Sequence, residues 1–248
     1  MSRFVLVHGS WHGAWCWDRV VPLLEAAGHE ATALDLPGHG EDRTRIEDIS
    51  LDAYARRICD VLAAQPEPVN LVGHSMGGSA ITQAAEYAAD SIASLIYLTA
   101  YINQPGESLV DLASADVDSD LRQNVIVDEA SGTAHLDDSV LRECFYADCT
   151  PGDLSHASAN LRPEPLTPLI TPLCTGPGGN GRGASAIPKI YIECLQDRAI
   201  TPKMQRRIHR RAGCERVYSM DTSHSPFFST PAELVSVLIA ASEGHPES

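Results

Sequence analysis

The sequence predicts an α/β chain: a mostly parallel sheet flanked by helices, with a mainly helical cap inserted into it. Three observations predict this. Short apolar runs alternate with amphipathic stretches over residues 1–103. The alternation stops over 104–183, where Asp, Pro and short helical patterns dominate. It resumes over 184–248. Residues 1–103 and 184–248 are therefore read as one sheet-bearing core, and 104–183 as the cap.

Each element has a local reason. Phe4 to Val7 is an apolar run suited to a buried strand. Trp15 to Ala27 reads as a helix ending at Gly28, and Glu30 to Leu34 as a strand ended by Pro37-Gly38. Ser50 is an N-cap for a helix in which Leu51, Tyr54, Ile58, Val61 and Leu62 recur at helical spacing. Pro66 and Pro68 stop it. Val69 to Val72 is a strand, Met76 to Ala89 a helix, and Ile92 to Leu98 a strand. In the cap, Asp137 to Tyr146 and Asp153 to Leu161 can each form a helix, while Pro163, Pro165, Pro168 and Pro172 forbid long ones. Thr175 to Gly183 holds five glycines and reads as a mobile linker. Lys189 to Leu195 is a strand. Pro202 opens a helix over Lys203 to Arg211 with Gly213 beyond it. Arg216 to Met220 is a strand, Pro231 to Ala240 the last helix, and Ser242 to Ser248 a fraying end. Strands joined by helical crossovers give a parallel sheet covered on both faces.

The 248 residues carry 33 acids against 18 bases, a formal charge of −15. That field repels phosphate backbones and anionic membrane surfaces, so neither is an expected partner. No stretch is long and apolar enough for a membrane-spanning helix, and the N-terminal run is too brief for a signal peptide. The cysteines at 16, 59, 144, 149, 174, 194 and 214 have no regular spacing. They read as reduced thiols of a cytoplasmic protein. Charge is unevenly spread. Asn103 to Asp153 holds twelve acids and two bases, and Lys189 to Arg216 eight bases and three acids. No dinucleotide, Walker or zinc-protease motif occurs, so no cofactor and no metal is expected.

The strongest motif is Gly73-His74-Ser75-Met76-Gly77, which matches G-x-S-x-G between an apolar strand and a helix. A serine on that sharp turn is lifted out of the sheet at a helix N-terminus, with glycines leaving room for close chain approach. Such a nucleophile needs a base, and the base an orienting acid. His224 lies in a loop after the last strand, before the final helix, and suits the base. Asp197 follows a strand's C-terminal end and suits the acid. Asp221 is held in reserve, three residues from His224 along one loop, and Glu193 falls inside a strand. The backbone N–H groups of Met76 and Ser10 are the expected oxyanion donors, Gly9 letting its loop approach Ser75. His8 reads as a loop brace or a substrate contact, and His12 equally as pocket or structure. His39 and His74 read as supporting groups.

These residues resemble a known group. Val5 to Trp15, Ala33 to Gly40, Leu71 to Gly78, Leu161-Arg162-Pro163 and Cys194 to Asp197 make the chain similar to the α/β-hydrolase fold. Within it, the chain resembles the branch of plant hormone methylesterases, plant α-hydroxynitrile lyases and related bacterial esterases. The resemblance implies the same triad, Ser75, Asp197 and His224, and the same donors, Ser10 and Met76. Lyases of that branch typically carry threonine in place of Gly9, glutamate in place of His74 and lysine in place of Ser225. This chain departs from them at all three. The expectation is a serine esterase acting through an acyl-enzyme on a small to medium, apolar carboxylic ester. Cyanohydrin cleavage and a non-catalytic receptor are the alternatives. Gly9, Trp11, His12, Trp15, Leu121, Leu141, Phe145, Tyr146 and Phe227 are candidate pocket residues. A homodimer remains open.

Overall fold

The apolar runs become strands because each is flanked by a helix that covers it. The computed structural model describes residues 1–175 and 183–243. In chain order the elements are β1 (Arg3–Val7), α1 (Val20–Ala26), β2 (Glu30–Leu34), α2 (Leu51–Ala63), β3 (Val69–His74), α3 (Gly77–Ala88) and β4 (Ile92–Leu98). The inserted segment adds α4 (Leu109–Ser114), α5 (Asp120–Asn124), β5 (Val125–Asp128), β6 (Thr133–Leu136), α6 (Leu141–Phe145), α7 (Pro151–Asn160), β7 (Glu164–Pro165) and α8 (Leu166–Ile170). The chain closes with β8 (Lys189–Cys194), α9 (Pro202–Ala212), β9 (Arg216–Met220), α10 (Pro226–Ser229) and α11 (Pro231–Ser242).

Six strands form one sheet in the order β2-β1-β3-β4-β8-β9, all parallel. The strands alternate their side chains between two apolar layers. Val5, Val7, Leu71, Leu95, Tyr97 and Tyr191 face one layer with α2 and α3. Phe4, Leu6, Val72, Ile96, Ile190 and Ile192 face the other with α1, α11 and part of the inserted segment. Both faces are dry, which is why these strands read as continuous apolar runs. The chain reverses direction across the sheet between β1 and β3, where Val7 pairs with Gly73. Ligands gather at such a switch point, at the C-terminal ends of the strands.

Local signals act as expected at α2, where the Ser50 side chain accepts from the Ala53 N–H at 3.1 Å, and at α9, where Gly213 ends the helix at φ +66°. Three details differ. The helix expected over Trp15 to Ala27 is a 3₁₀ turn at Ala14–Trp17 and then α1, the break falling at Asp18 and Arg19. The helix expected over Asp137 to Tyr146 is confined to α6, because the Asp137 side chain and carbonyl accept from the Ser139 and Val140 N–H groups and hold residues 137–140 in a turn. The inserted segment also holds a small antiparallel sheet, β5-β6-β7, that helical patterns do not announce. The linker expected over Thr175 to Gly183 and the end beyond Glu243 lie almost wholly outside the described residues.

The uneven charge has a structural cause. Acids of the inserted segment meet the basic stretch that follows it. Asp120 and Glu143 pair with Arg198 at 2.6 and 3.2 Å, Asp118 with Lys203 at 3.2 Å, and Glu107 with Arg211 at 2.6 Å. Asp116 accepts from the Thr201 hydroxyl and N–H at 2.7 and 2.8 Å. Asp111 and Asp153 complete capping boxes on α4 and α7. Exposed pairs contribute little each, and together they bridge the segment and the stretch that follows it. No helix among the described residues is long and apolar enough to cross a membrane. All seven cysteines are free thiols.

Candidate active site

Ser75 sits at the end of β3 with φ +54°, a left-handed conformation strained for a residue with a side chain. Its N–H donates to the Leu98 carbonyl at 3.2 Å, and its own carbonyl accepts from Gly78 and Tyr101 at 3.1 Å each. The flanking glycines are required by space. A Cβ on Gly73 would lie 2.7 Å from the Gly77 oxygen, and one on Gly77 would lie 2.5 Å from the His8 oxygen. The turn is pressed between two chain segments and leaves the serine 5% exposed.

His224 and Asp197 come from the loops after β9 and β8. His224 Nδ1 meets Asp197 Oδ2 at 2.6 Å, both side chains buried. The other Asp197 oxygen, Oδ1, accepts from the N–H groups of Ala199 and Ile200 at 2.7 and 3.0 Å. Thr99, just past β4, donates its hydroxyl to Oδ2 at 2.5 Å. Asp221 is engaged elsewhere, accepting from Gln196 at 2.8 Å, so geometry selects Asp197. No hydrogen bond joins the Ser75 hydroxyl to the His224 ring in this structure. Such bonds are often long before substrate binds. His74, next to Ser75 in the chain, donates from Nε2 to the His224 carbonyl at 2.9 Å.

The Ser10 and Met76 N–H groups find no protein acceptor among the described residues. They flank Ser75, because a Cβ on Gly9 would lie 2.8 Å from the Ser75 Cβ. Two buried, unengaged donors beside a serine are what a developing oxyanion requires.

Four buried histidines frame this arrangement. The Leu36 N–H donates to His8 Nε2 at 3.1 Å, so Nδ1 carries the proton and donates to the Gly9 carbonyl at 2.8 Å. His8 is thus a loop brace. His12 donates from Nδ1 to the Ser10 carbonyl and accepts from the Tyr146 hydroxyl on Nε2, each at 2.7 Å. Burial lowers the pKa of His8 and His74 well below the ordinary value and that of His12 to about 3. Burial also opposes charge on His39, but the Glu164 carboxylate at 2.9 Å raises its pKa overall. The signs give an expected result. His8, His12 and His74 stay neutral when folded and take up protons when unfolded below about pH 6.5. Their share of stability is present above that pH and lost as pH falls, at roughly 1.4 kcal/mol per unit for each. The His39 share is present below about pH 6.5 and lost as pH rises through its raised value. Thermal melting against pH should therefore peak near neutrality and fall steeply on the acid side, before the carboxylates titrate.

The pocket expectations divide. A cavity of about 180 Å³ is lined by Trp11, Leu141 and Phe145, as expected, and by Leu136, Leu161 and Arg162 among others. Phe145 also stacks on the His224 ring, centroids 5.2 Å apart. His12, Tyr146 and Phe227 do not line it; they are buried and pack on one another and on His74 and Trp17. Trp15 packs instead against Phe228, His156 and His12. Leu121 packs on the apolar layer below, and Gly9 serves the close approach to Ser75. A larger cavity of about 470 Å³, lined by Thr82, Asn103, Lys189 and Arg211 among others, contains none of these residues, and neither cavity is lined by Ser75 or His224 themselves; the smaller one reaches His224 through Phe145. Sequence reasoning missed Thr99 and Glu164, both brought in by contacts far apart along the chain.

Comparisons with known proteins show the family. A model of the alpha/beta hydrolase family matches residues 4–237. The chain is 32% identical over 250 residues to putative methylesterase 11, chloroplastic, of Arabidopsis thaliana, covering 96% of this chain and 63% of that longer protein. It is 34% identical over 248 residues to pyrethroid hydrolase of Sphingobium wenxiniae, covering 96% and 86% of the two chains. The solved structure of polyneuridine aldehyde esterase superposes with a TM-score of 0.83 at 27% identity, covering 98% of this chain and 100% of that one. The chain belongs to the α/β-hydrolase family, on a branch of carboxylic ester hydrolases.

Proposed function

We propose that the protein is a serine carboxylesterase acting through an acyl-enzyme. The observation that carries this reading is the strained Ser75 turn flanked by two unengaged N–H groups, with the Asp197–His224 pair in the adjoining loops. His224 takes the Ser75 proton as the oxygen attacks the ester carbonyl. The Ser10 and Met76 amides hold the oxyanion. Asp197 steadies the imidazolium, the alcohol leaves, and His224 activates the water that releases the acid.

The substrate is a small to medium, apolar ester. A cavity of about 180 Å³, lined by Trp11, Leu136, Leu141, Phe145 and Leu161 together with the polar His135, Asp138 and Arg162, adjoins the Phe145 ring that stacks on His224 and supports short, largely apolar groups. Cyanohydrin cleavage fits less well. A side chain on Gly9 would collide with His74 Nδ1 at 2.9 Å as well as with Ser75, and Ser225 is buried and uncharged beside the base.

Esters of one alcohol with acyl groups from acetyl to palmitoyl test this. Acetyl through hexanoyl esters should be turned over, with kcat/KM falling steeply at palmitoyl. Absence of turnover on every ester, with Ser75 unreactive to an organophosphonate, would overturn the reading. The proposed reaction needs only the ester and water, and the chain is proposed to act in the cytoplasm.

A further inference from the structure

The peptide that bears the Ser10 N–H is followed by Trp11 at φ +63°. A bulky residue adopts that conformation only where its surroundings over-determine it. Three hydrogen bonds do so, and each partner lies in the inserted segment. The Trp11 indole donates to the Ala134 carbonyl at 2.8 Å. Its carbonyl accepts from the Arg162 N–H at 2.9 Å. Its N–H donates to Glu164 Oε2 at 2.9 Å.

Glu164 is unusual for a surface-forming segment. Its side chain is fully buried, on the short strand β7. Oε2 is shared between the Trp11 N–H and His39 Nε2 at 2.9 Å, and Oε1 accepts from the Tyr54 hydroxyl at 3.3 Å. Burying a carboxylate is costly unless every lone pair is engaged, and here one engagement is the backbone of the oxyanion loop. The same Ser10–Trp11 peptide is held at its other pole, where the Ser10 carbonyl accepts from His12. The preceding peptide is held by His8 through the Gly9 carbonyl. Both peptide planes flanking Ser10 are therefore fixed, and of these anchors Glu164 is the one from outside the sheet-bearing core.

We propose that Glu164 is a positioning residue for the oxyanion hole: by binding the Trp11 N–H it holds the Ser10–Trp11 peptide, and with it the backbone angles at Ser10 on which the placement of the neighbouring Ser10 N–H depends. The cap is then a structural part of the hole as well as a wall of the pocket. This rests on the esterase reading of Ser75. It predicts that the acceptor atom at Oε2 matters for turnover and that the negative charge matters less.

Three variants separate these contributions, each measured for kcat, KM, thermal melting and affinity for a short-chain alkyl trifluoromethyl ketone. The adduct of that ketone with Ser75 places an oxyanion in the hole. Glu164→Gln can still present an oxygen to Trp11, and should keep kcat and ketone affinity within about threefold. Glu164→Asp keeps the charge but withdraws it by one methylene, and Glu164→Leu removes the acceptor. Both should lose about 10–100-fold in kcat, below the full loss of an oxyanion donor, with a parallel loss of ketone affinity and little change in KM. If Glu164→Leu fails to fold, the contrast between the Gln and Asp variants decides. A folded Asp variant with wild-type kcat and ketone affinity, even if it melts lower, would overturn the proposal. So would a Gln variant as damaged as the Asp one. Failure of the wild type to hydrolyse esters and to react at Ser75 with a phosphonate would instead remove the esterase reading, and this assignment with it.

Discussion

Replacing Ser75 with alanine should lower kcat/KM at least about 10⁴-fold while leaving the fold intact, because the hydroxyl is the only nucleophile proposed and makes no hydrogen bond to His224 in the resting structure. A glycine at the same position sharpens the test. The backbone there lies at φ +54°, where a residue with a Cβ is strained and glycine is not. Ser75→Gly should therefore be as inactive as the alanine variant and yet melt higher, by an amount on the order of 1 kcal/mol of stability. Rapid-mixing assays on a chromogenic ester and thermal melts of both variants check this. Wild-type turnover by either variant would remove Ser75 from the mechanism.

Asp197→Asn should cost about 10⁴-fold in kcat through a tautomer change alone. Oδ1 accepts two backbone N–H groups, from Ala199 and Ile200. An amide placed there must turn its oxygen towards those donors, which leaves its NH₂ facing His224 Nδ1. The imidazole can then only accept at Nδ1, so its proton moves to Nε2, the atom that must receive the serine proton. The fold should survive, because every backbone bond to the side chain is kept. A folded Asn variant with near-wild-type kcat would point to another orienting acid, with Asp221 the residue to replace next.

Much of this was legible in the sequence, for identifiable reasons. The parallel sheet was readable because both its faces are dry, so its strands are bare apolar runs between capped helices. The nucleophile turn was readable because steric demand leaves few residue types possible, as the contacts awaiting a Cβ on Gly73 and Gly77 show. Asp197 was preferred to Asp221 because it follows a strand end at a distance from His224 in sequence, while Asp221 lies only three residues from His224 along the same loop. What was not legible depends on long-range contact. The Thr99 hydroxyl reaches Asp197 across 98 positions of chain, and Glu164 reaches Trp11 across 153. No periodicity announces either. The β5–β6 hairpin was hidden because its strands are four residues each and only Gly132, at φ +69°, marks the turn. The acidic and basic segments were both visible as composition. That they face each other was not, since pairing is a property of docking and composition carries none of it.

The order of strands across the sheet has a consequence for the timing of synthesis. Ser75 belongs to the first four strands, which can pair as soon as they emerge. Its base and orienting acid follow β9 and β8, and the joining of β4 to β8 brings Leu95 beside Lys189. Closing so long a loop is slow and comes late. On the proposed mechanism, a nascent chain therefore carries Ser75 unarmed through most of translation, and the serine becomes reactive only when the last quarter docks.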